Sequence, residues 1–520
     1  MNRGKCFQNR KERYMMNGYK MEIEAREGSV FPSLTYKNMI LEPAYDEAKR
    51  NFVDYMMQIN IAHLVMLQEQ GLVSVAEAKQ IGKAISEIDS EFYKTSAYSS
   101  EFEDLFFRVE HDLIIKAGDI AGNLHIARSR NDMGIAIYRM TLRKKILKLM
   151  KGLLVFQNSL HVFANEHIET IMIGYTHTQQ AQPTTLAHYI RGLMDKLDRD
   201  FVRLQAAYKT VNRSSMGAAA LTTSGFAISR QRMQELLSFD EIIENAWDSV
   251  AGADYLMEAS TAVQIASLNL GRSIQDLLTW ATKEFNVFTL ANPYVQVSSI
   301  MPQKRNPVSL EHTRALLSSV VGDTNTVLMM IHNTPFGDIV DTEDDLQPYL
   351  WRSLEKLNGV YELVTSVIAT LNVNKEGLEK RARESFANVT ELADTLVRVE
   401  NISFRQAHHI VSNAVRALDG SGHEKLSDLT YDMVNSVAQN ILKKPLTLTE
   451  AQFQKAVCPR NFIELRTILG GPAPLTMSTS LANYEHRLIQ LNEWVEGKEN
   501  EIEKAEEVLE SFKNHWSESK

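Results

Sequence analysis

The feature that most restricts the fold of this chain is a long run of apolar residues at heptad spacing. Between Asp132 and Thr170 the sequence has no proline and only two glycines. Seven apolar residues there alternate between steps of four and three positions: Leu142, Ile146, Leu149, Leu153, Phe156, Leu160 and Phe163. This spacing places one apolar stripe along a helix. We therefore predict a single helix on the order of 58 Å long.

Similar periodicity predicts four more long helices: one around Ile190 to Tyr208, and three over about 254–284, 309–332 and 350–371. Five long helices joined by short polar segments are typical of a helix bundle, and hairpin signals are weak. We therefore predict a nearly all-α chain. The predicted divisions are a disordered basic tail (1–28), an N-terminal helical domain (29–121), a central helix-bundle domain (122–372), a C-terminal helical domain (373–485) and a charged helical tail (486–520).

Charge and composition exclude several classes of protein. The chain has 65 aspartates and glutamates and 56 lysines and arginines, which gives a formal net charge of -9. This negative charge argues against nucleic acid binding. Cys6 and Cys458 are the only cysteines, which excludes a disulfide scaffold or a cysteine-rich zinc site and fits a reducing compartment. No charge-free stretch approaches about 18 apolar residues. We therefore expect a cytoplasmic protein with no membrane or nucleic acid partner.

A polar segment at 125–132 directly precedes the longest predicted helix. It contains Arg128 and Arg130, and Asn131 or Asp132 is the expected N-cap. The N–H groups at a helix start carry partial positive charge, so two arginines beside them would form a cradle for a carboxylate or phosphate. Taken alone, the segment fits a capped helix start with solvated arginines better.

A second polar segment, at 174–183, lies between two predicted helices, and Pro183 is expected to mark the start of the second helix. It contains Thr176 and His177. A histidine titrates near neutral pH and can transfer protons, although a lone histidine is more often an ordinary loop or core residue.

A third polar segment, at 297–307, combines two hydroxyls, two cations and an amide, and Glu311 follows it. Pro302 and Pro307 favour a loop rather than a helix here. The alternative interpretation of this segment alone is a surface loop with a basic tip.

The three segments together resemble the signatures of the fumarase/aspartase superfamily, whose members release fumarate by elimination. Ser-Ser-Ile-Met-Pro-Gln-Lys-Arg-Asn-Pro at 298–307 resembles its signature loop. Arg-Ser-Arg-Asn-Asp at 128–132, Gly-Tyr-Thr-His at 174–177, Phe-Arg-Gln-Ala-His at 404–408 and Gly-Gly-Pro-Ala-Pro at 470–474 are similar to the argininosuccinate lyase branch. The resemblance covers about 30–480. It implies a three-domain all-α fold around a central bundle, a homotetramer whose active sites each take segments from three subunits, and no cofactor or metal.

The resemblance also implies roles for individual residues. Ser298 corresponds to the catalytic base, while His177 and Glu311 correspond to a charge-paired acid/base couple. Lys304 and Asn306 correspond to the residues that hold the carboxylate of a dicarboxylate substrate. The other positions implied for substrate binding are Ser129, Arg130, Asn131, Thr176, Ser299, Gln347 and, with a weaker match, Ser33.

The chain departs from the family pattern at several positions. Val297 stands where a glycine is usual, Ala253 where an arginine is usual, and Thr342 and Leu350 where a tyrosine and a lysine are usual. Threonine and glycine before the arginine motif are replaced by isoleucine and alanine at 126–127. The positions for the succinyl half are thus kept, and those around the leaving half are changed.

We therefore predict a carbon–nitrogen lyase acting on an N-substituted aspartate, with argininosuccinate as the family default. The alternatives are a lyase for another N-substituted aspartate, as in ethylenediamine-disuccinate lyase, and a non-catalytic structural member of the fold. A Ser-His-Glu hydrolase is a third alternative, although no Gly-x-Ser-x-Gly elbow is present. The acidic cluster at 338–345 is predicted to be a solvated turn, with a cation site as its alternative.

Overall fold

The computed structural model describes residues 18–419 and 425–518, and six long helices dominate that part of the chain. We number them α1 to α6: Arg130–Glu166, Leu186–Val211, Asp254–Trp280, Val308–Ile331, Gln347–Ile368 and Pro474–Glu518. The first five correspond to the five long helices predicted from periodicity. The all-α prediction is confirmed.

Helix α1 lies at the centre of the bundle. All seven residues of its heptad stripe are buried, from Leu142 to Phe163. Helix α1 packs against α2, α5 and α6, while α3 packs against α2 and α4, and α4 against α5. Burial on several sides explains why α1 carries apolar residues on more than one face.

Shorter helices flank the bundle on both sides. Before it lie residues 18–27 and the helices Leu34–Tyr36, Glu42–Asn51, Val53–Glu69, Val75–Ser86, Ser90–Thr95 and Leu105–Ala117. After α5 lie Lys375–Glu384, Val389–Glu400, Phe404–Asp419, Tyr431–Leu442, Glu450–Ala456 and Pro459–Glu464. Each set buries its own apolar core.

Two further helices, Arg230–Leu236 and Ala246–Ala251, lie between α2 and α3. Lys37–Leu41 is a short π-helix, and the 3₁₀-helices are Asp119–His125, Asn292–Tyr294, Val340–Thr342, Phe386–Asn388 and Leu426–Asp428. The predicted basic tail is helical over 18–27, and residues 1–17 lie outside the described part of the chain. The division of the chain into domains stays a prediction.

Eight short strands form four two-stranded sheets in the described residues. They are β1 to β8: Ile171–Thr176, Gln179–Thr185, Arg213–Ser214, Glu241–Ile242, Phe288–Thr289, Gln296–Val297, Arg305–Asn306 and Asn372–Val373. The antiparallel β1–β2 hairpin was not expected from the sequence. Pro183 lies within β2, and α2 begins only at Leu186 after the N-cap Thr185, so the predicted helix start at Pro183 is wrong.

Helix α6 runs without a break across the predicted boundary at 485/486. Its C-terminal part, from Glu496 onward, is not a solvated helix, because Ile502, Leu509 and Trp516 are buried. Leu509 and Trp516 belong to the core of the N-terminal helices. Its charged residues alternate with apolar residues that face inward. The charged residues taken alone would therefore predict a solvated helix.

Trp516 packs directly on Gly82, where any Cβ would overlap the indole ring. We expect Trp516→Ala to lower the free energy of unfolding by about 3–5 kcal/mol, because it leaves a cavity in this core. Gly82→Ala should also destabilise the protein, but less so in the Trp516→Ala background, since the two residues are in contact. Urea unfolding followed by circular dichroism measures both effects. Ser511→Ala, at an exposed position of α6, is the control, and additive effects of the first two changes would contradict the contact.

Among the residues that the structure describes, no helix is long and apolar enough to cross a membrane.

Candidate active site

The start of α1 is capped by Ser129 rather than by Asn131 or Asp132. The backbone N–H of Asn131 donates to Ser129 Oγ (3.3 Å), and Ser129 N donates to Asp132 Oδ1 (3.0 Å). This reciprocal arrangement is a capping box, which fixes the backbone at the helix start. Ser129, Arg130 and Asn131 are therefore presented by a rigid element.

Asp132 ties this helix start to a second segment of the chain. Its carboxylate is fully buried and also accepts hydrogen bonds from Gly217 N (2.9 Å) and Ala219 N (3.0 Å). Burial raises the pKa of Asp132 to about 6, against the opposing effect of these donors. Asp132 thus supports the predicted binding residues from behind rather than facing a ligand.

The two arginines before α1 point in different directions. Arg128 donates to Asn60 Oδ1 (2.7 Å) in the N-terminal helices, and burial lowers its pKa to about 10. Arg130 stays partly exposed, donates to Asp104 Oδ2 (2.8 Å) and lies over the ring of Phe107 at 4.6 Å. Arg130 is therefore the arginine of this pair that can reach a bound anion.

The side-chain amide of Asn131 is held at both ends. Ser129 Oγ donates to Asn131 Oδ1 (2.8 Å), and Asn131 Nδ2 donates to Asp338 Oδ2 (2.6 Å). The second contact joins α1 to the acidic segment before α5. Sequence reasoning noticed this segment as a charge cluster but not its contact with Asn131.

Thr176 and His177 lie at the tip of the β1–β2 hairpin and are exposed. The two turn residues, His177 and Thr178, have φ of 50° and 63°. Positive φ at both positions is typical of a two-residue type I′ turn, which normally contains asparagine or glycine. Holding a histidine and a β-branched residue in this conformation costs of order 1–3 kcal/mol, and such strain concentrates at functional sites.

Ser298 begins the loop of a second hairpin, between β6 and β7. The backbone N–H groups of Ile300 (3.3 Å) and Met301 (3.0 Å) donate to Ser298 Oγ. Donors to the charged form of a group favour that form. The loop therefore gives Ser298 part of the support that a serine alkoxide needs in order to act as a base.

The same hairpin presents the other residues of the predicted signature loop. Ser299 and Lys304 are exposed, and Asn306 in β7 is partly buried. Glu311 is exposed in the first turn of α4. His177 and Glu311 of the same chain form no hydrogen bond with each other in the described residues. The predicted acid/base pair therefore requires residues of two different chains.

The two remaining predicted binding residues lie elsewhere. Gln347, the first residue of α5, is only 1% exposed, and its side chain lies beside the hydroxyl of the buried Tyr255. Ser33 caps the short helix Leu34–Tyr36 and accepts from Tyr36 N (3.3 Å).

The positions that depart from the family pattern have structural counterparts. Leu350 is 0% exposed in the bundle core, and Thr342 is buried. Val297 lies in β6, where it is exposed. Ala127 has a φ of 59°, a conformation that glycine adopts more readily, so alanine replaces the usual glycine here at some cost in strain.

The predicted residues form two groups at opposite ends of the bundle. The start cluster is Ser129, Arg130 and Asn131. The hairpin cluster is Thr176, His177, Ser298, Ser299, Lys304, Asn306 and Glu311. Helix α1 has 37 residues, about 55 Å at the usual rise, and separates the start cluster from the β1–β2 hairpin. A contact between Tyr175 and Phe285 (5.7 Å between ring centroids) places that hairpin at the same end as the residues leading into the signature loop. One chain therefore cannot bring both clusters to one substrate.

Comparison with known proteins supports the resemblance of these segments. A family model described as "Lyase" matches residues 46–322, and one described as "Argininosuccinate lyase C-terminal" matches residues 386–464. Argininosuccinate lyase 2 of Agrobacterium fabrum is 38% identical, over 93% of this chain and 96% of that protein. The chain belongs to the argininosuccinate lyase family. The argininosuccinate lyase of Methanocaldococcus jannaschii is 36% identical over 87% of this chain and 92% of its own length.

Solved structures agree with this family membership. A variant of EDDS lyase with bound fumarate superposes with a TM-score of 0.83 at 28% identity, covering 91% of this chain and 93% of that one. The predicted fold and family are thus confirmed, and the protein is an enzyme of the carbon–nitrogen lyase type. Within residues 18–419 and 425–518, no group of His, Cys, Asp or Glu side chains is placed to hold a metal ion.

Proposed function

We propose that this member of the argininosuccinate lyase family cleaves an N-substituted aspartate into fumarate and an amine. Argininosuccinate, which would yield arginine, is the family default. The observation that carries the proposal is the pair of backbone N–H donors on Ser298 Oγ, inside the signature loop. They favour the charged form of a residue that is otherwise a poor base.

In the proposed reaction, Ser298 takes the proton from Cβ of the succinyl group. The electron pair left on Cβ delocalises into the adjacent carboxylate, where Lys304 and Asn306 stabilise the added charge. The pair then forms the Cα–Cβ double bond of fumarate as the Cα–N bond breaks, and the departing nitrogen takes up a proton. His177 and Glu311 form the acid/base couple, and no cofactor is required.

The start cluster, together with Thr176 and Ser299, is proposed to bind the succinyl carboxylates. Arg130 supplies a guanidinium, and Ser129 and Asn131 lie where the N–H groups of a helix start carry partial positive charge. We also propose that Gln347 and Ser33 contact the substrate. Because Gln347 is buried, its contact requires a movement that opens the start of α5.

The two-ended arrangement supports a homotetramer in which different subunits contribute different parts of each site. Large apolar side chains are exposed on the bundle helices, among them Val155, Leu268 and Met329. Exposed apolar surface of this kind is typical of an interface between subunits.

The low cysteine count supports a reducing compartment, and we propose the cytoplasm.

The amine product depends on the residues that surround the leaving half of the substrate. Leu350, where a lysine is usual, is buried in the bundle core and cannot bind a carboxylate of the leaving half. The carboxylates of the leaving half, which argininosuccinate and ethylenediamine-disuccinate both carry, would therefore need another partner than residue 350.

A panel assay tests the proposed reaction. The protein is incubated with argininosuccinate, ethylenediamine-disuccinate and other N-substituted aspartates, and fumarate is followed by its ultraviolet absorbance. We expect absorbance to rise with at least one of them and not with succinate, which has no leaving amine. The reverse reaction, with fumarate and a panel of amines, identifies the amine product. If none of the N-substituted aspartates released fumarate, the proposal would be contradicted.

A further inference from the structure

The acidic segment before α5 is packed against the first turns of α1. Asp338 accepts from Asn131, as described above, and Tyr138 Oη donates to Asp344 Oδ1 (2.6 Å). Both contacts join residues more than 200 positions apart in the chain. The prediction of a solvated turn is therefore wrong: the acidic segment packs beside the start cluster.

One carboxylate oxygen of Asp338 lies in a position that calls for a hydrogen-bond donor. Its Oδ2 accepts from Asn131 Nδ2, while its Oδ1 is buried and, as long as Glu343 is ionised, has no hydrogen-bond donor in the described residues. A buried acceptor without a donor is costly. The side chain of Glu343 lies within hydrogen-bond distance of Asp338, so that a proton on Glu343 would satisfy the carboxylate.

The surroundings of Glu343 favour its protonated form. Burial, followed by the hydrogen bond to Asp338 and the charges of Asp338 and Asp344, raises the pKa of Glu343 to about 9. The charge of Arg130 opposes this effect, and Arg130 is already paired with Asp104. This arrangement favours a proton held by Glu343 between the two facing carboxyl groups.

We infer that Glu343 is a positioning residue, whose proton, shared with Asp338, keeps the amide of Asn131 oriented toward the substrate carboxylate. The inference rests on the proposed function, because it assigns Asn131 to the succinyl group. Without the proton, two negative charges lie beside Asn131, and they repel an anionic substrate. Asp338 is then also free to rotate away from the amide.

The sign of the pH dependence follows from the direction of the shift. The folded protein holds this proton up to about pH 9, whereas an unfolded glutamate loses it near 4.5. The stability that the shared proton provides is complete below the lower value and is lost as the pH rises through the higher one. Substrate affinity should follow the same course on the alkaline side.

Two substitutions at one position test the inference. Glu343→Gln keeps an N–H donor toward Asp338 but cannot titrate, while Glu343→Ala removes the donor. In the wild type we expect kcat/KM to fall above about pH 9; in Glu343→Gln the fall due to this pair should disappear. In Glu343→Ala we expect KM at neutral pH to rise about tenfold with a smaller change in kcat. Asp341→Asn, an exposed position of the same segment, is the matched control and should change neither.

The protonated carboxyl can also be observed directly. Infrared spectra of the full-length wild type at neutral pH should contain a protonated-carboxyl band that vanishes at high pH and in Glu343→Gln. Calorimetry with fumarate supplies a second readout of affinity. Should Glu343→Ala fail to fold, Glu343→Gln and the infrared band still decide the matter.

The outcomes separate the two hypotheses. An active wild type with an unchanged KM in Glu343→Ala, or with no band attributable to Glu343, would overturn the positioning role alone. A wild type that binds no fumarate and releases none would instead remove the proposed function, whatever the infrared band shows.

Discussion

Replacing Ser298 with alanine is expected to lower kcat by about 10²–10⁴-fold while fumarate affinity changes little. Alanine removes the group that accepts the Cβ proton. It leaves the backbone N–H groups of Ile300 and Met301, together with Lys304, in the same loop. Because fumarate is the product and has already lost that proton, its binding does not depend on the base.

Steady-state kinetics by fumarate absorbance and calorimetric titration with fumarate measure the two quantities separately. Ser511→Ala, on the exposed side of α6, controls for any general effect of a serine-to-alanine change. A near-normal kcat in Ser298→Ala would show that another residue is the base. A loss of fumarate affinity equal to the loss of kcat would instead assign Ser298 to substrate binding.

Mixing two inactive variants from opposite ends of the bundle is expected to restore activity. Asn131→Ala and His177→Asn each disable every site of their own homo-oligomer. If each site takes these residues from different subunits, an equal random mixture leaves about a quarter of the sites with both native residues. Co-expression with two affinity tags isolates the mixed oligomers, and their activity is compared with that of the parents.

A pair of variants from the same end serves as the control for this experiment. Arg130→Ala mixed with Asn131→Ala should stay inactive, because both residues belong to the start cluster of one subunit and no subunit then carries both. Activity restored in neither mixture would indicate that each site is built from a single chain. That outcome would contradict the separation of the two clusters by the length of α1.

The long helices were predictable because their signal is local. Heptad spacing such as that of Leu142 to Phe163 appears within one stretch of sequence, and burial on several sides accounts for the rest of the apolar pattern. The β1–β2 hairpin was missed because its turn uses His177 and Thr178 at positive φ, instead of the asparagine or glycine that mark such turns. The cap of α1 was misplaced by two or three positions, since Ser129, Asn131 and Asp132 all favour this role.

The site was predictable as three segments but not as an arrangement. Motif resemblance identified residues such as Ser298 and Asn131, whose roles stay predictions. The contact between Asn131 and Asp338 joins positions 207 residues apart, and a single sequence contains no signal for such a pairing. The partner of Arg130, Asp104, was missed for the same reason. These contacts depend on how the N-terminal helices and the acidic segment pack around the start of α1.

The docking of Trp516 against Gly82 has a consequence for synthesis of the protein on the ribosome. The N-terminal helices emerge before the bundle, yet their core includes Leu509 and Trp516, which are translated long after these helices. Domains that fold during synthesis normally complete themselves as they emerge. Here the core of the N-terminal helices stays open along one side until Leu509 and Trp516 have been made, and a nascent chain released before then would present that apolar side to chaperones and proteases.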